Sequence, residues 1–147
     1  MDIDQRAEAA RPSVLLVEDE PDLRFLVREN LHRSGRFEVE AEAADGEEAI
    51  ALLEDLQPDI VLLDIMMPGM NGRQALPRIL VASPTSMVVM LSALDAVAEE
   101  RPALAAGAFA YLEKRVIGPE LPGVLDDLYR RFLRALSGET VVAPGPL

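Results

Sequence analysis

The residues best equipped for chemistry in this chain are those that end its apolar runs. Ile60-Val61-Leu62-Leu63 stops on Asp64 and is followed at once by Ile65-Met66-Met67-Pro68-Gly69, while Val14-Leu15-Leu16-Val17 stops on Glu18-Asp19-Glu20. Met87-Val88-Val89-Met90-Leu91 ends on Ser92, and Phe109-Ala110-Tyr111-Leu112-Glu113 ends on Lys114. If these segments neighbour one another, Glu18, Asp19 and Asp64 crowd together. Like charges about 4 Å apart repel by roughly 4 kcal/mol per pair at the effective dielectric of a protein surface, so a positive group must sit among them. Two or three carboxylates with a backbone carbonyl suit a hard, oxygen-preferring cation that keeps several waters, of which Mg²⁺ fits best. With no cysteine and one histidine, zinc and softer metals lack their ligands. The three acids, Mg²⁺ and Lys114 balance in formal charge, and such a site is suited to a phosphoryl group. Each residue also has a plainer reading. Asp64 alone reads equally well as the start of a turn. Glu18-Asp19-Glu20 ahead of Pro21 makes a good helix start, and Lys114 alone reads as a solvated strand-end lysine. Their joint pattern favours the site.

Delivering four such strand ends to one place requires a particular scaffold. Continuous apolar runs of four or five residues, one of them bounded by Pro58 and by Pro68-Gly69, fit strands covered on both faces in a parallel sheet flanked by helices. Sheets of that kind bind ligands at the carboxyl ends of their strands. Helical spacing places Leu23, Leu26, Val27 and Leu31 on one face of residues 21–32, and Ala49, Ile50, Leu53 and Leu56 on one face of 45–56. Leu121, Leu125, Leu128 and Phe132 form the stripe of 119–136. Arg130, Arg131 and Arg134 suit the C-terminus of that last helix. His32 reads as a solvated surface residue, and the methionines as core packing.

Composition agrees with one α/β domain. A chain of 147 residues, 50% hydrophobic and 27% charged, has an ordinary globular balance and can bury one sizeable core. The lack of cysteine points to a reducing compartment. Residues 1–11 hold no apolar core for a signal peptide, and no run approaches the 18 or so apolar residues that span a bilayer, so a soluble, cytoplasmic protein is expected. A net charge of −12 disfavours direct nucleic-acid binding. Residues 1–11 are expected to be a flexible segment, 12–136 the domain, and 137–147 a disordered tail.

The ordered set of motifs resembles the receiver domain of two-component response regulators. These carry an acidic pair after the first strand, an acceptor Asp after the third, Ser or Thr after the fourth, and an aromatic followed by Lys at the fifth. Here the matching residues are Glu18 and Asp19, Asp64 in Leu-Leu-Asp-Ile-Met-Met-Pro-Gly-Met-Asn-Gly, Ser92 in Met-Leu-Ser-Ala, and Tyr111 with Lys114. The resemblance implies a flavodoxin-like doubly wound (βα)5 fold with a five-stranded parallel sheet in the order 2-1-3-4-5. It implies that Asp64 accepts a phosphoryl group from a phosphohistidine of a sensor histidine kinase or a histidine phosphotransfer protein. Mg²⁺ would be held by Asp19, Asp64 and the backbone carbonyl of Met66, with Glu18 acting through metal-bound water. Lys114 would pair a phosphoryl oxygen, Ser92 would donate its hydroxyl to the phosphoryl, and Tyr111 would swing inward as a switch. Such a domain is a phosphoacceptor rather than an enzyme with a separate substrate. The reading is of a stand-alone receiver with no membrane partner and no direct nucleic-acid partner. Homodimerisation on phosphorylation is compatible with it and has no support in the sequence.

Three departures from the family pattern carry expectations. Arg115 stands where the residue after the Lys is usually a cis Pro. Because a cis bond before a non-proline residue costs about 3–4 kcal/mol, either a trans bond with Lys114 re-aimed or a strained cis bond is expected. Pro102 falls inside the fourth helix, and an interior proline costs about 3 kcal/mol, which predicts a helix starting near Arg101 with 95–100 as a loop or separate turn. Pro77 interrupts the helix expected after Gly72, so the connection from Asp64 to Ser92 looks short or distorted. A degenerate receiver that binds partners without phosphorylation is the alternative, favoured by Arg115. A haloacid-dehalogenase-type enzyme would need a second acid two residues after its nucleophile, where Met66 stands. Met66 and Leu94 put apolar bulk beside the phosphoryl position, which predicts slow autodephosphorylation.

Overall fold

The computed structural model describes residues 11–93 and 96–138, with Ala96, Val97 and Glu99 described by backbone alone. Expectations for residues 1–10, for 139–147, and for Leu94 and Asp95 lie outside the described residues. Five strands, β1 (Ser13–Val17), β2 (Glu38–Ala43), β3 (Ile60–Asp64), β4 (Met87–Ser92) and β5 (Ala110–Glu113), alternate with α1 (Pro21–Ser34), α2 (Gly46–Leu52), α3 (Gly72–Ala82), α4 (Ala96–Ala105) and α5 (Leu121–Leu136). A short 3₁₀ turn, Lys114–Val116, follows β5. All strand pairs are parallel and the order is β2-β1-β3-β4-β5, the doubly wound arrangement expected.

The apolar runs become strands because helices cover both of their faces. On one face Leu15, Val17, Val61, Leu63, Val88 and Met90 meet Ala49 and Leu53 from the α2 segment, Leu76 and Ile79 of α3, and Ala103 of α4. On the other, Val14, Leu16, Ile60, Leu62, Val89 and Leu91 meet Val27 and Leu31 of α1 and Leu121, Leu125 and Leu128 of α5. β2 has no such run. Its Glu38-Val39-Glu40-Ala41-Glu42-Ala43 alternates acid with small apolar residue, as befits an edge strand with a solvated side.

Several expectations need correction. Leu26 is 45% exposed, and Leu23 only half-buried, because the sheet meets α1 along the narrower line of Val27 and Leu31. The second helix ends at Leu52 rather than Leu56, Leu53 capping it in helical conformation. α4 runs unbroken from Ala96 to Ala105 with Pro102 in its interior, so the predicted start near Arg101 is wrong. Pro102 has no N–H for the Ala98 carbonyl, yet the helix is closed firmly just beyond it. Ala108 N–H donates to the Ala103 carbonyl (3.0 Å) and Gly107 N–H to the Leu104 carbonyl (3.1 Å), with Gly107 at φ 112°, a left-handed helix end that offsets the local cost. Pro77 likewise sits inside a continuous α3. There the Asn71–Gln74 capping box and the buried Ala75, Leu76 and Ile79 outweigh the missing donor.

Candidate functional site

The register of the sheet brings the strand ends together. Val17 pairs with Leu63, so Glu18 and Asp64 leave adjacent strands side by side. Asp64 is level with Leu91, which sets Ser92 one residue beyond it, and Ser92 in turn is level with Glu113, the residue before Lys114. Asp64 is 0% exposed and Glu18 1%. Carboxylate oxygens of Glu18, Asp19 and Asp64 all lie within 4.8 Å of one another.

Lys114 enters the same space. Its Nζ is 3.0 Å from Glu18 Oε1 and 3.1 Å from Asp64 Oδ2. Both are ion pairs outside hydrogen-bonding geometry, so Glu18 Oε1 and Oε2 and Asp64 Oδ2 remain buried without a hydrogen-bond donor. Burial, reinforced by the neighbouring Asp64 carboxylate and opposed by Lys114, pushes the Glu18 carboxyl up to about 8. Burial pulls the Lys114 ammonium down, but contact with Glu18 and the charge of Asp64 more than reverse this and leave it above its usual value. Two of these buried oxygens share a single ammonium and the third, Glu18 Oε2, has no donor among the described residues, so an all-oxygen cluster of three acids fits a hard divalent cation beside the lysine.

The peptide bond after Lys114 is trans, as are all those described, and Lys114 still reaches the acids. The re-aiming expected of a trans bond does not remove it from the site. Arg115 turns away and pairs with Glu113. Tyr111 lies on the sheet face covered by α2, α3 and α4 and is 3% exposed, so it is a core residue. Ser92 is fully buried at the end of β4.

Some contributions to the site were not anticipated. Met66, 58% exposed, donates its N–H to Asp64 Oδ1 at 3.2 Å. Gly72 packs so closely that a Cβ there would lie 2.3 Å from the Asp64 carbonyl oxygen and 2.8 Å from Ile65 Cα, and its N–H donates to the Ile65 carbonyl at 2.9 Å. Arg24 Nη1 donates to the Glu18 carbonyl at 2.7 Å. The sequence carried a signal for Gly72, a glycine opening a helix just after the acceptor loop, and little for Arg24, which reads as an ordinary helix-surface arginine.

Residues 14–126 match the family described as the response regulator receiver domain. The chain belongs to that family. It is 42% identical over 131 residues to protein-glutamate methylesterase/protein-glutamine glutaminase 3 of Anaeromyxobacter dehalogenans, covering 88% of this chain and 38% of that one. It is 36% identical over 101 residues to the chemotaxis protein CheY of Thermotoga maritima, covering 69% of this chain and 83% of that one. Among solved structures, the signal receiver domain of NarL from Mycobacterium tuberculosis superposes with a TM-score of 0.75 at 32% identity, over 82% of this chain and 97% of that one. The response regulator domain of Thermotoga maritima CheB superposes with a TM-score of 0.69 at 28% identity, over 90% of this chain and 98% of that one. The chain spans between 38% and 57% of the length of the first curated relatives it matches. Receiver domains are phosphorylated on an Asp by histidine kinases in two-component signalling, bind Mg²⁺ at an acidic pocket, and are generally non-enzymatic phosphoacceptors. Among the described residues of this receiver, no helix is long and apolar enough to cross a membrane.

Proposed function

We propose that this receiver, residues 12–136, takes a phosphoryl group on Asp64 from a phosphohistidine of a sensor histidine kinase or a histidine phosphotransfer protein. The observation that carries this reading is the buried Asp64 carboxylate set between Lys114 Nζ and the Glu18–Asp19 pair. An Asp64 oxygen attacks phosphorus, the P–N bond breaks, and its electron pair leaves with the imidazole nitrogen, which takes up a proton. The product is an acyl phosphate. Asp19, Asp64 and the Met66 carbonyl would hold Mg²⁺, with Glu18 acting through a water, and the ion would supply positive charge against that of the phosphoryl oxygens. Lys114 pairs one of those oxygens. The upward push of burial on the Glu18 carboxyl, to about 8, supports a site whose acids ionise fully only with added positive charge.

Ser92 then donates its hydroxyl to the bound phosphoryl and draws the segment after β4 inward. Tyr111 is buried in the core, which supports a reading in which phosphorylation acts by holding it there rather than by bringing it in, a shift between two populations. Met66 shields the acyl phosphate from water and slows its hydrolysis. The alternative, a phosphorylation-independent binding module, drew on Arg115. The retention of Lys114 in the cleft, with Arg115 turned toward Glu113, weighs against it.

Intact-mass analysis after incubation with acetyl phosphate and Mg²⁺ tests the proposal. An adduct of one phosphoryl group that needs Mg²⁺ and is lost in Asp64→Asn is expected. No adduct on folded wild-type protein would overturn the phosphoacceptor reading and leave the binding module.

A further inference from the structure

The peptide that carries the acidic pair is gripped from two sides. Glu18 N–H donates to the Ala43 carbonyl on β2 at 3.0 Å, and the Glu18 carbonyl accepts from Arg24 Nη1 at 2.7 Å. That carbonyl belongs to the Glu18–Asp19 peptide. Because a peptide is planar, fixing its carbonyl fixes the direction in which Asp19 leaves the backbone. Arg24 is itself anchored in the first turn of α1, its N–H bonded to the Glu20 carbonyl at 2.9 Å, so residues 18–24 close into a short ring. Its guanidinium is braced in turn. Arg24 Nε is 3.4 Å from Glu42 Oε1, and the other Glu42 oxygen accepts from Arg28 Nη1 at 2.8 Å.

We propose that Arg24 is a positioning residue for the metal-holding acids. Its guanidinium sets the Glu18–Asp19 peptide plane, and Glu42 on the edge strand β2 sets the guanidinium. The inference rests on the reading of the acidic cluster as a Mg²⁺ site. The task needs a planar fork, one nitrogen donating to a carbonyl and another facing a carboxylate, which the point charge of a lysine does not reproduce. Groups that orient metal-binding residues from behind typically change metal affinity about 10- to 100-fold.

Calorimetric titration of the 147-residue chain with MgCl₂, beside a thermal melt without Mg²⁺, tests this. Arg24→Ala is expected to weaken Mg²⁺ binding about tenfold, Glu42→Gln about threefold, and Arg24→Lys to recover only a minor part of the loss. Arg78→Ala, which removes an ion pair to Glu47 elsewhere on the surface, leaves the affinity unchanged. A lowered melting temperature with unchanged Mg²⁺ affinity makes Arg24 a structural residue only and overturns the inference. Should Arg24→Ala fail to fold, Glu42→Gln and Arg24→Lys decide by the same criterion. No binding by the wild type overturns the metal reading and the inference together, whereas wild-type binding that no variant alters overturns the inference alone.

Discussion

The two sides of Asp64 are built differently. On the β1 side, the loop of Glu18 and Asp19 is tied by backbone and guanidinium hydrogen bonds, and the α1 helix behind it sinks Val27 and Leu31 wholly into the core. On the β4 side, Ser92 leads toward α4, which holds a proline in its interior and, among its described side chains, fully buries Ala103. Elements with few buried apolar contacts open at lower free energy than those at the centre of a core. The half that carries the acidic pair is therefore the more firmly anchored, and the half that carries Ser92 stands on shallower packing.

The largest test of that contrast is Leu31→Ala. Truncating a fully buried leucine on the α1 side is expected to cost about 2–5 kcal/mol in urea unfolding. A cost under about 1 kcal/mol would mean the acid side is not the well-anchored one.

The next test is by pH. Glu18 titrates near 8 in the folded protein against 4.5 when free, so between those values the folded state binds more protons than the unfolded chain. Its contribution to metal-free stability is whole below about 4.5 and drains away as pH rises through about 8. The loss is on the order of a few kcal/mol. Glu18→Gln is expected to lack that slope and to be more stable than wild type at pH 8 without metal. Parallel stability–pH curves for the two proteins would refute the assignment.

Pro102→Ala probes the other side with the opposite sign. Restoring an interior N–H to α4 is expected to raise stability by about 2 kcal/mol. That is less than the full proline cost of about 3 kcal/mol, because the unfolded chain also gains freedom. Amide exchange should slow in α4 and be unchanged in α1; equal slowing in both would dissolve the distinction between the halves. The smallest effect belongs to a site neutral to the comparison. Asp127→Asn, which removes a solvent-facing ion pair to Arg131, should change stability by a few tenths of a kcal/mol or less.

The central strands and the residues that end them were legible because burial on both faces leaves a continuous apolar run that a single polar residue interrupts. β2 was implied by the fold and never located, since an edge strand of alternating Glu and Ala or Val has no such run. Leu26 was misplaced because helical spacing marks a wide stripe while the sheet touches a narrow one. Pro102 misled because its penalty is local and visible, whereas the helix closure at Gly107 that offsets it lies about one and a half turns further on and depends on backbone hydrogen bonds that the sequence does not display. Arg24 escaped notice for a related reason. Its partner is a main-chain carbonyl, and no sequence pattern marks which carbonyls need one.

Lys114, held between Glu18 and Asp64, is the only lysine among the 147 residues. Apart from the chain's α-amino group, amine-directed reagents thus have a single address, and it lies in the cleft. A fluorophore or mass tag coupled through amine chemistry would land there and nowhere else on a side chain, and whatever fills the cleft would slow that coupling, so the protein carries its own footprinting probe.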